Sequence, residues 1–394
     1  MTFSEMIGAL GIDTYPEELP EIFENEREPI DLTAEALRRI EEEYGTMGER
    51  LSDLIACAEA VSENEALREY TRCGVKFLES CNHTAGFKLK IPALDQETAL
   101  YHYQILLLSL ALPNGFATYK KRGFPDEEIR PMMKAVSDRI NVKNKTTGKY
   151  DNSCYNWLRH YAHAALFSSK LFGVTPRLIS APVIFLKSCD GEYKILATGG
   201  TYHRDGKPLG NACYTDTEGS FTAEFSEDGE FYTGHEIVNA FVKKTPISLK
   251  KSDWSVIARQ WDWMVGLHIP RGADLSEESM TAGFKDAMAK TMRHYPDLDP
   301  KFVHTETWLL SPKLAELQGE GSGIKRFSDR FIKYPTKSGG KELFGFAFPS
   351  CPEDYNDLPE NTSLQRKLKA LYLSGGCCHA HAGFVPGSEE WKEV

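Results

Sequence analysis

Between Asp262 and Trp308 the chain reads strand, glycine turn, helix, strand, and no other stretch constrains the fold as tightly. In Trp263-Met-Val-Gly-Leu-His-Ile269, Val265, Leu267 and Ile269 share one face of an extended segment, so His268 takes the other. In Phe302-Val-His-Thr-Glu-Thr-Trp-Leu-Leu310, Val303, Thr305, Thr307 and Leu309 share a face, and His304, Glu306 and Trp308 take the opposite one. A helix between two strands of one sheet crosses over right-handed and makes them parallel neighbours or near neighbours. His268 is therefore expected near His304 or Glu306. These three are the catalytic candidates, against the alternative that each is a buried, satisfied polar group or lies on a solvated face.

At 394 residues the chain exceeds one ordinary hydrophobic core, so two domains are expected. The first 140 or so residues read as helical: Leu37, Ile40 and Tyr44 follow a Thr33 cap, and Leu51, Leu54, Ile55 and Ala58 continue the spacing. Further helices are expected over 96–112, 127–140 and 155–167. The polar stretch Asn141–Ser153 marks the boundary, giving a helical domain over 1–150 and a second domain over 151–394. From about Pro182 the texture turns to short strands, with Cys189-Asp-Gly-Glu and Glu227-Asp-Gly-Glu as hairpin turns. Met280, Phe284, Met288 and Met292 form one helical stripe behind a cap at Asp274, and Phe344, Phe346 and Phe348 alternate as a strand face. Thr362-Ser-Leu-Gln365 opens a last helix that stops at Gly375-Gly376. The fold class is α+β: helices first, then a mixed sheet with flanking helices.

The net charge of −11 disfavours nucleic acid and anionic membrane as partners, and no basic patch with interleaved aromatics is present. The longest apolar run, Ile105–Leu112, is too short for a membrane span. The start Met1–Met6 lacks signal-peptide character, and nine cysteines stand without framework spacing, which together predict a cytoplasmic protein.

Lys121-Arg-Gly-Phe-Pro125, Trp157-Leu-Arg-His160, Gly234-His-Glu-Ile237, Leu267-His-Ile-Pro-Arg-Gly272, Trp308-Leu-Leu-Ser-Pro312 and Phe327 with Arg330-Phe331 occur in an order that resembles a bacterial family of acyltransferase-domain proteins. Its members join a helical N-acyltransferase-type N-terminal domain to a GNAT-like C-terminal domain, the fold of GNAT-type N-acetyltransferases. The resemblance covers most of the chain. It implies acyl-CoA or acetyl-CoA as co-substrate; a small-molecule acceptor is expected with it, and the residues themselves give no reason to expect a metal. It also implies a pyrophosphate site at the start of the helix after the first strand, which here is Pro270, Arg271, Gly272 and Ala273. The chain departs from the family at Arg271-Gly-Ala-Asp-Leu275, where an acidic residue, Gly-Gly and Pro-Leu are usual, and at Lys170-Leu-Phe-Gly173, where Arg-Leu-Gln-Phe is usual. Asp274, Glu277 and Glu278 would repel a phosphate, so an ordinary loop is the competing reading.

Gln318-Gly-Glu-Gly-Ser-Gly323 matches the phosphate-loop pattern letter for letter, but a helix-like run precedes it and a strand-like run, Phe331–Tyr334, follows. That context predicts a helix-ending loop. Cys377-Cys-His-Ala-His381 has metal-ligand residue types, but adjacent cysteines strain to reach one ion, so a glycine turn before an edge strand is expected. The leading function is an acyl-CoA-dependent acyltransferase working by direct attack. The alternatives are a non-catalytic binding protein on the same fold and, more weakly, a metal-dependent enzyme using that run.

Overall fold

The computed structural model describes residues 1–80, 89–144 and 147–393. Two compact units divide the chain, Met1–Phe167 and Ser168–Val394.

The first unit is built from helices α1 (Phe3–Ala9), α2 (Leu19–Asn25), α3 (Ala34–Tyr44), α4 (Leu51–Ser62), α5 (Glu65–Ser80), α6 (Tyr103–Lys121), α7 (Asp126–Ile140) and α8 (Tyr155–Ala162). Thr33 caps α3 as its sequence predicts, its hydroxyl accepting from the Ala36 N–H at 3.2 Å, and Gly45 ends the helix in the left-handed region. Helix α6 starts later and ends later than its apolar run suggests. Thr98 caps a short 3-10 turn ahead of it. The helix then runs through Pro113, because Gly115, Phe116 and Tyr119 extend its buried face. Helix α8 stops at Ala162 rather than 167, and Ala164 turns to positive φ just beyond. It packs on α6, which is why the polar stretch 141–153 lies inside this unit.

The strands of four or more residues in the second unit are β1 (Gly173–Leu178), β2 (Val183–Ser188), β3 (Tyr193–Ala197), β4 (Phe231–Val238), β5 (Ile247–Lys250), β6 (Trp254–Arg259), β7 (Trp263–His268), β8 (Val303–Thr307), β9 (Ile332–Pro335) and β10 (His381–Phe384). One sheet orders them β5-β4-β3-β2-β6, all antiparallel. The Asp190-Gly191 turn closes its β2–β3 hairpin, with Gly191 at φ +86° supplying the left-handed residue. The other sheet runs β1-β7-β8-β10-β9. In it β7 and β8 are parallel neighbours joined by helix α9 (Glu277–His294), the unit that the 262–308 pattern predicts. The two sheets share an apolar core in which Phe185 makes edge contacts with Phe302, Tyr334 and Phe384 at 4.9–5.4 Å.

Several details differ from the sequence reading. Helix α9 is capped by Ser276, not Asp274, and Asp274 instead braces the cap by accepting from the Ser276 N–H at 3.0 Å. Phe344 to Ala347 form a short helix, α12, with Phe344 stacked on Phe348 at 5.4 Å and Phe346 left 63% exposed. Strand β10 is interior, paired to β8 and β9, not an edge. The Gln318–Gly323 loop joins helix α10 (Pro312–Leu317) to helix α11 (Gly323–Asp329), so a helix stands between it and β9. Helix α13 (Ser363–Leu373) opens on the expected Thr362/Gln365 capping box. No helix among the described residues is long and apolar enough to cross a membrane.

Candidate functional site

Strands β7 and β8 pair at Val265↔Val303, Gly266↔His304 and Leu267↔Thr305, and there the pairing ends. Beyond that rung β7 continues alongside β1 to His268↔Gly173, and β8 continues alongside β10 to Thr307↔His381. Each strand keeps its outer neighbour while the two lose each other, so the sheet parts at His268 and Glu306. The Thr305 hydroxyl donates to the Leu267 carbonyl at 3.0 Å and closes the last rung.

Direct opposition of Gly266 and His304 puts His268, His304 and Glu306 on one face, the one α9 does not cover. They have different partners there. His268 is partly buried and shares a 2.9 Å hydrogen bond with the Thr175 hydroxyl of β1. His304 is buried, with Nε2 at 2.8 Å from the Tyr334 hydroxyl, and its Nδ1 finds no partner among the described residues. Glu306 reaches the surface, its side chain 34% exposed, and pairs with Arg177 of β1 at 3.3 Å. Burial, then the Arg177 charge, lowers His268 to about 4 and puts His304 well below the usual histidine range. Both imidazoles are therefore neutral at pH 7. Tyr334 is raised by burial and stays a phenol.

The sequence reading missed Arg177, Thr175, Gly266 and Tyr334. A Cβ at Gly266 would stand 2.7 Å from the Arg177 Cδ and 2.8 Å from the Thr175 carbonyl oxygen. The bare glycine lets the arginine stem lie flat across β7 to reach Glu306. A glycine inside a strand is the one sequence sign of such an approach.

The Pro270–Ala273 turn follows β7. Gly272 sits at φ +80°, and the Ala273 N–H donates to the Pro270 carbonyl at 3.2 Å, a type II arrangement that already uses one candidate phosphate donor. Arg271 is exposed and donates to the Phe346 carbonyl at 3.0 Å. Asp274 takes the Ser276 N–H and bonds the hydroxyls of Ser276 and Ser279, so the helix start is partly occupied by the protein's own carboxylate. In the Gln318–Gly323 loop the Gly321 carbonyl accepts from Arg326 at 2.7 Å, and the helix-to-helix context is not that of a phosphate cradle.

The side chains of the Cys377–His381 run diverge. Cys378 is buried with Leu314, Leu343 and Tyr372, while His379 bonds the Ala212 carbonyl. His381 Nδ1 donates to the His379 carbonyl at 2.9 Å, which leaves Nε2 to accept from the buried Lys207 amine. Among the described residues no group of three or more His, Cys, Asp or Glu could hold a metal ion. Lys207 also donates to the Ala240 carbonyl at 3.3 Å and lies 4.3 Å over the Phe241 ring. Burial lowers it to about 7. Its unfolded value is ~10.4. Between those values the unfolded chain binds the extra proton, so stability rises with pH through that window. Against Lys207→Met, the wild-type chain should gain about 2 kcal/mol between pH 7 and 9 in urea melts. Parallel pH dependence of the two proteins would mean that Lys207 stays charged.

Residues 213–385 match the family described as the GNAT-like C-terminal domain. Among solved structures, an acyltransferase in complex with decanoyl-CoA is similar at a TM-score of 0.58 and 15% identity, over 98% of this chain and 99% of that one. An acyltransferase in complex with decanoyl-CoA and teicoplanin is similar at 0.57 and 15%, and one in complex with CoA and 10C-teicoplanin at 0.57 and 16%, with the same coverage. No curated protein matches. The chain thus has the α+β fold of those acyltransferases, with a helical N-terminal region and a GNAT-like C-terminal domain.

Proposed function

We propose that the chain is an acyltransferase that takes an acyl group from a coenzyme A thioester and passes it to the amine of a small acceptor by direct attack. The observation that carries this reading is the parting of β7 and β8 with His268 and Glu306 on one face of the opening. Coenzyme A species bound to acyltransferases of the same fold support it.

In this reading the thioester lies in the opening, and backbone N–H groups of β7 polarise its carbonyl. Glu306 takes a proton from the acceptor ammonium. The freed amine attacks, a C–N bond forms, and the C–S bond breaks to release coenzyme A as its thiol. His304 is too deeply buried and too engaged with Tyr334 to share this work. His268 is reachable and neutral, and it positions the Thr175 side of the opening. Arg271 meets the pyrophosphate. Asp274 at the same helix start favours the competing reading, a non-catalytic binding protein on this fold.

Calorimetry with decanoyl-CoA separates the two. The wild-type chain should bind. Arg271→Ala should weaken binding about tenfold or more, since a charge-assisted bond is worth ~1.5–3 kcal/mol and ~1.4 kcal/mol is a decade. The exposed turn should leave folding unchanged. Equal binding by both proteins would put the pyrophosphate elsewhere, and no binding by either would favour the non-catalytic reading.

A further inference from the structure

Two opposite charges stand side by side at the mouth of the opening. Arg177 and Glu306 meet through a single contact of 3.3 Å, and each side chain is about one-third exposed, at 33% and 34%. A pair so exposed contributes only ~0–1 kcal/mol. The guanidinium has five N–H donors, of which Glu306 takes one. Yet the fold makes specific room for it: residue 266 must be glycine for the arginine stem to cross β7, because a Cβ there would strike both that stem and the Thr175 backbone. A weak pair held in place by a bare strand position is a poor stabilising device. It is a good recognition device, because a ligand can replace it charge for charge.

We propose that the acceptor is a zwitterion: an amine carrying a carboxylate on the same or the next carbon, as an amino acid does. The inference rests on the acyltransferase reading above and names the acceptor class for that site. The ligand carboxylate takes Arg177 through two parallel N–H···O bonds, stronger than the single bond it displaces. The ligand ammonium takes Glu306. That placement sets the reacting nitrogen on the group that deprotonates it, on the face of the parted strands that bears His268. An ammonium plus a thioester then gives an amide, the coenzyme A thiol and one released proton. An amine without the carboxylate leaves Arg177 competing for Glu306, so it is held less well and deprotonated less well.

The test uses the full chain, decanoyl-CoA and matched acceptors: a panel of α-amino acids, their carboxamides and their decarboxylated amines. Thiol release and amide mass are the activity readouts, and thermal shift with each acceptor alone is the binding readout. The wild-type chain should prefer the amino acids over both analogues by at least about tenfold in kcat/KM, and only the amino acids should raise its melting temperature. Arg177→Met should erase the preference, and Arg177→Lys, which keeps the charge but not the planar fork, should retain part of it. Equal kcat/KM for amino acids and decarboxylated amines on the wild-type chain overturns the inference and leaves acyl transfer standing. A preference that survives Arg177→Met overturns it too. If no amine releases thiol while amino acids alone still stabilise the wild-type chain and not Arg177→Met, Arg177 and Glu306 form a zwitterion-binding site but the acyltransferase reading fails, and with it the assignment of that zwitterion as acceptor. Neither thiol release nor selective stabilisation overturns both.

Discussion

Gly115→Ala should destabilise the helical unit by about 3 kcal/mol or more, a large share of the ~5–15 kcal/mol that holds a typical domain folded. Gly115 lies on the buried face of α6 where that helix crosses the end of α8. A methyl group there would stand 1.9 Å from the Tyr161 carbonyl oxygen and 2.9 Å from the Ala162 carbonyl carbon and oxygen. All three are backbone atoms, so no rotamer change relieves the overlap and one helix must move off the other. Gly8 in α1 is the control, because an added Cβ there meets nothing within 4 Å. Gly8→Ala should be neutral or stabilising by up to ~1 kcal/mol, through loss of backbone freedom in the unfolded chain. Thermal unfolding of both variants decides the point, and an unchanged melting temperature for Gly115→Ala would show that the two helices are not packed at this distance.

The parts of the fold that were legible in the sequence are those set by local periodicity. Val265, Leu267, Val303 and Thr305 alternate cleanly, and a helix of crossover length lies between them, so the parallel β7–β8 pair follows from chain order. Thr33, Thr362 and the Asp190-Gly191 turn act through neighbours two or three residues away. Where one pattern serves two periods the reading fails. Phe344 and Phe348 fit a strand face by alternation, and they stack at i, i+4 in a short helix instead. Long-range cover is the other blind spot. The alternation of β8 groups His304 with Glu306, but it cannot say that Tyr334 of β9 and Phe185 of the other sheet bury one end of that face while the other end stays open. Arg177 belongs to a strand far away in sequence, and only the pairing of β1 with β7 brings it over Gly266. Lys207 sits in a polar loop, His203-Arg-Asp-Gly-Lys207, for which the sequence offers no sign of burial. It is buried because the loop folds against Val242, so closely that a Cβ at Gly206 would stand 2.3 Å from the Val242 carbonyl oxygen.

With Glu306 as the base proposed above, Glu306→Gln should lower kcat/KM for acyl transfer by about 100-fold to 10,000-fold, the range that general base catalysis contributes. Glutamine keeps the size of the side chain and can still accept from Arg177 through its amide oxygen, so packing is preserved. What it loses is the capacity to take a proton. An acceptor that arrives as an ammonium then has no adjacent group to deprotonate it, and only the small fraction of free amine in solution can react. His268 cannot substitute well. Burial and the Arg177 charge lower it to about 4, so at pH 7 it is a neutral imidazole with no negative charge to hold an ammonium, and its ring is bonded to the Thr175 hydroxyl. His304 is shifted the same way and is bonded to Tyr334 in the interior. Binding of decanoyl-CoA should be little changed, because the proton acceptor works on the other reactant. The loss should also shrink as pH rises toward the acceptor's own ammonium pKa, since free amine becomes abundant there. Measuring rates from pH 7 to 10 for the wild-type chain and Glu306→Gln, with His268→Asn alongside, assigns the base. A constant ratio of rates across that range would count against proton removal as the role of Glu306, and a larger loss from His268→Asn would move the role to the histidine.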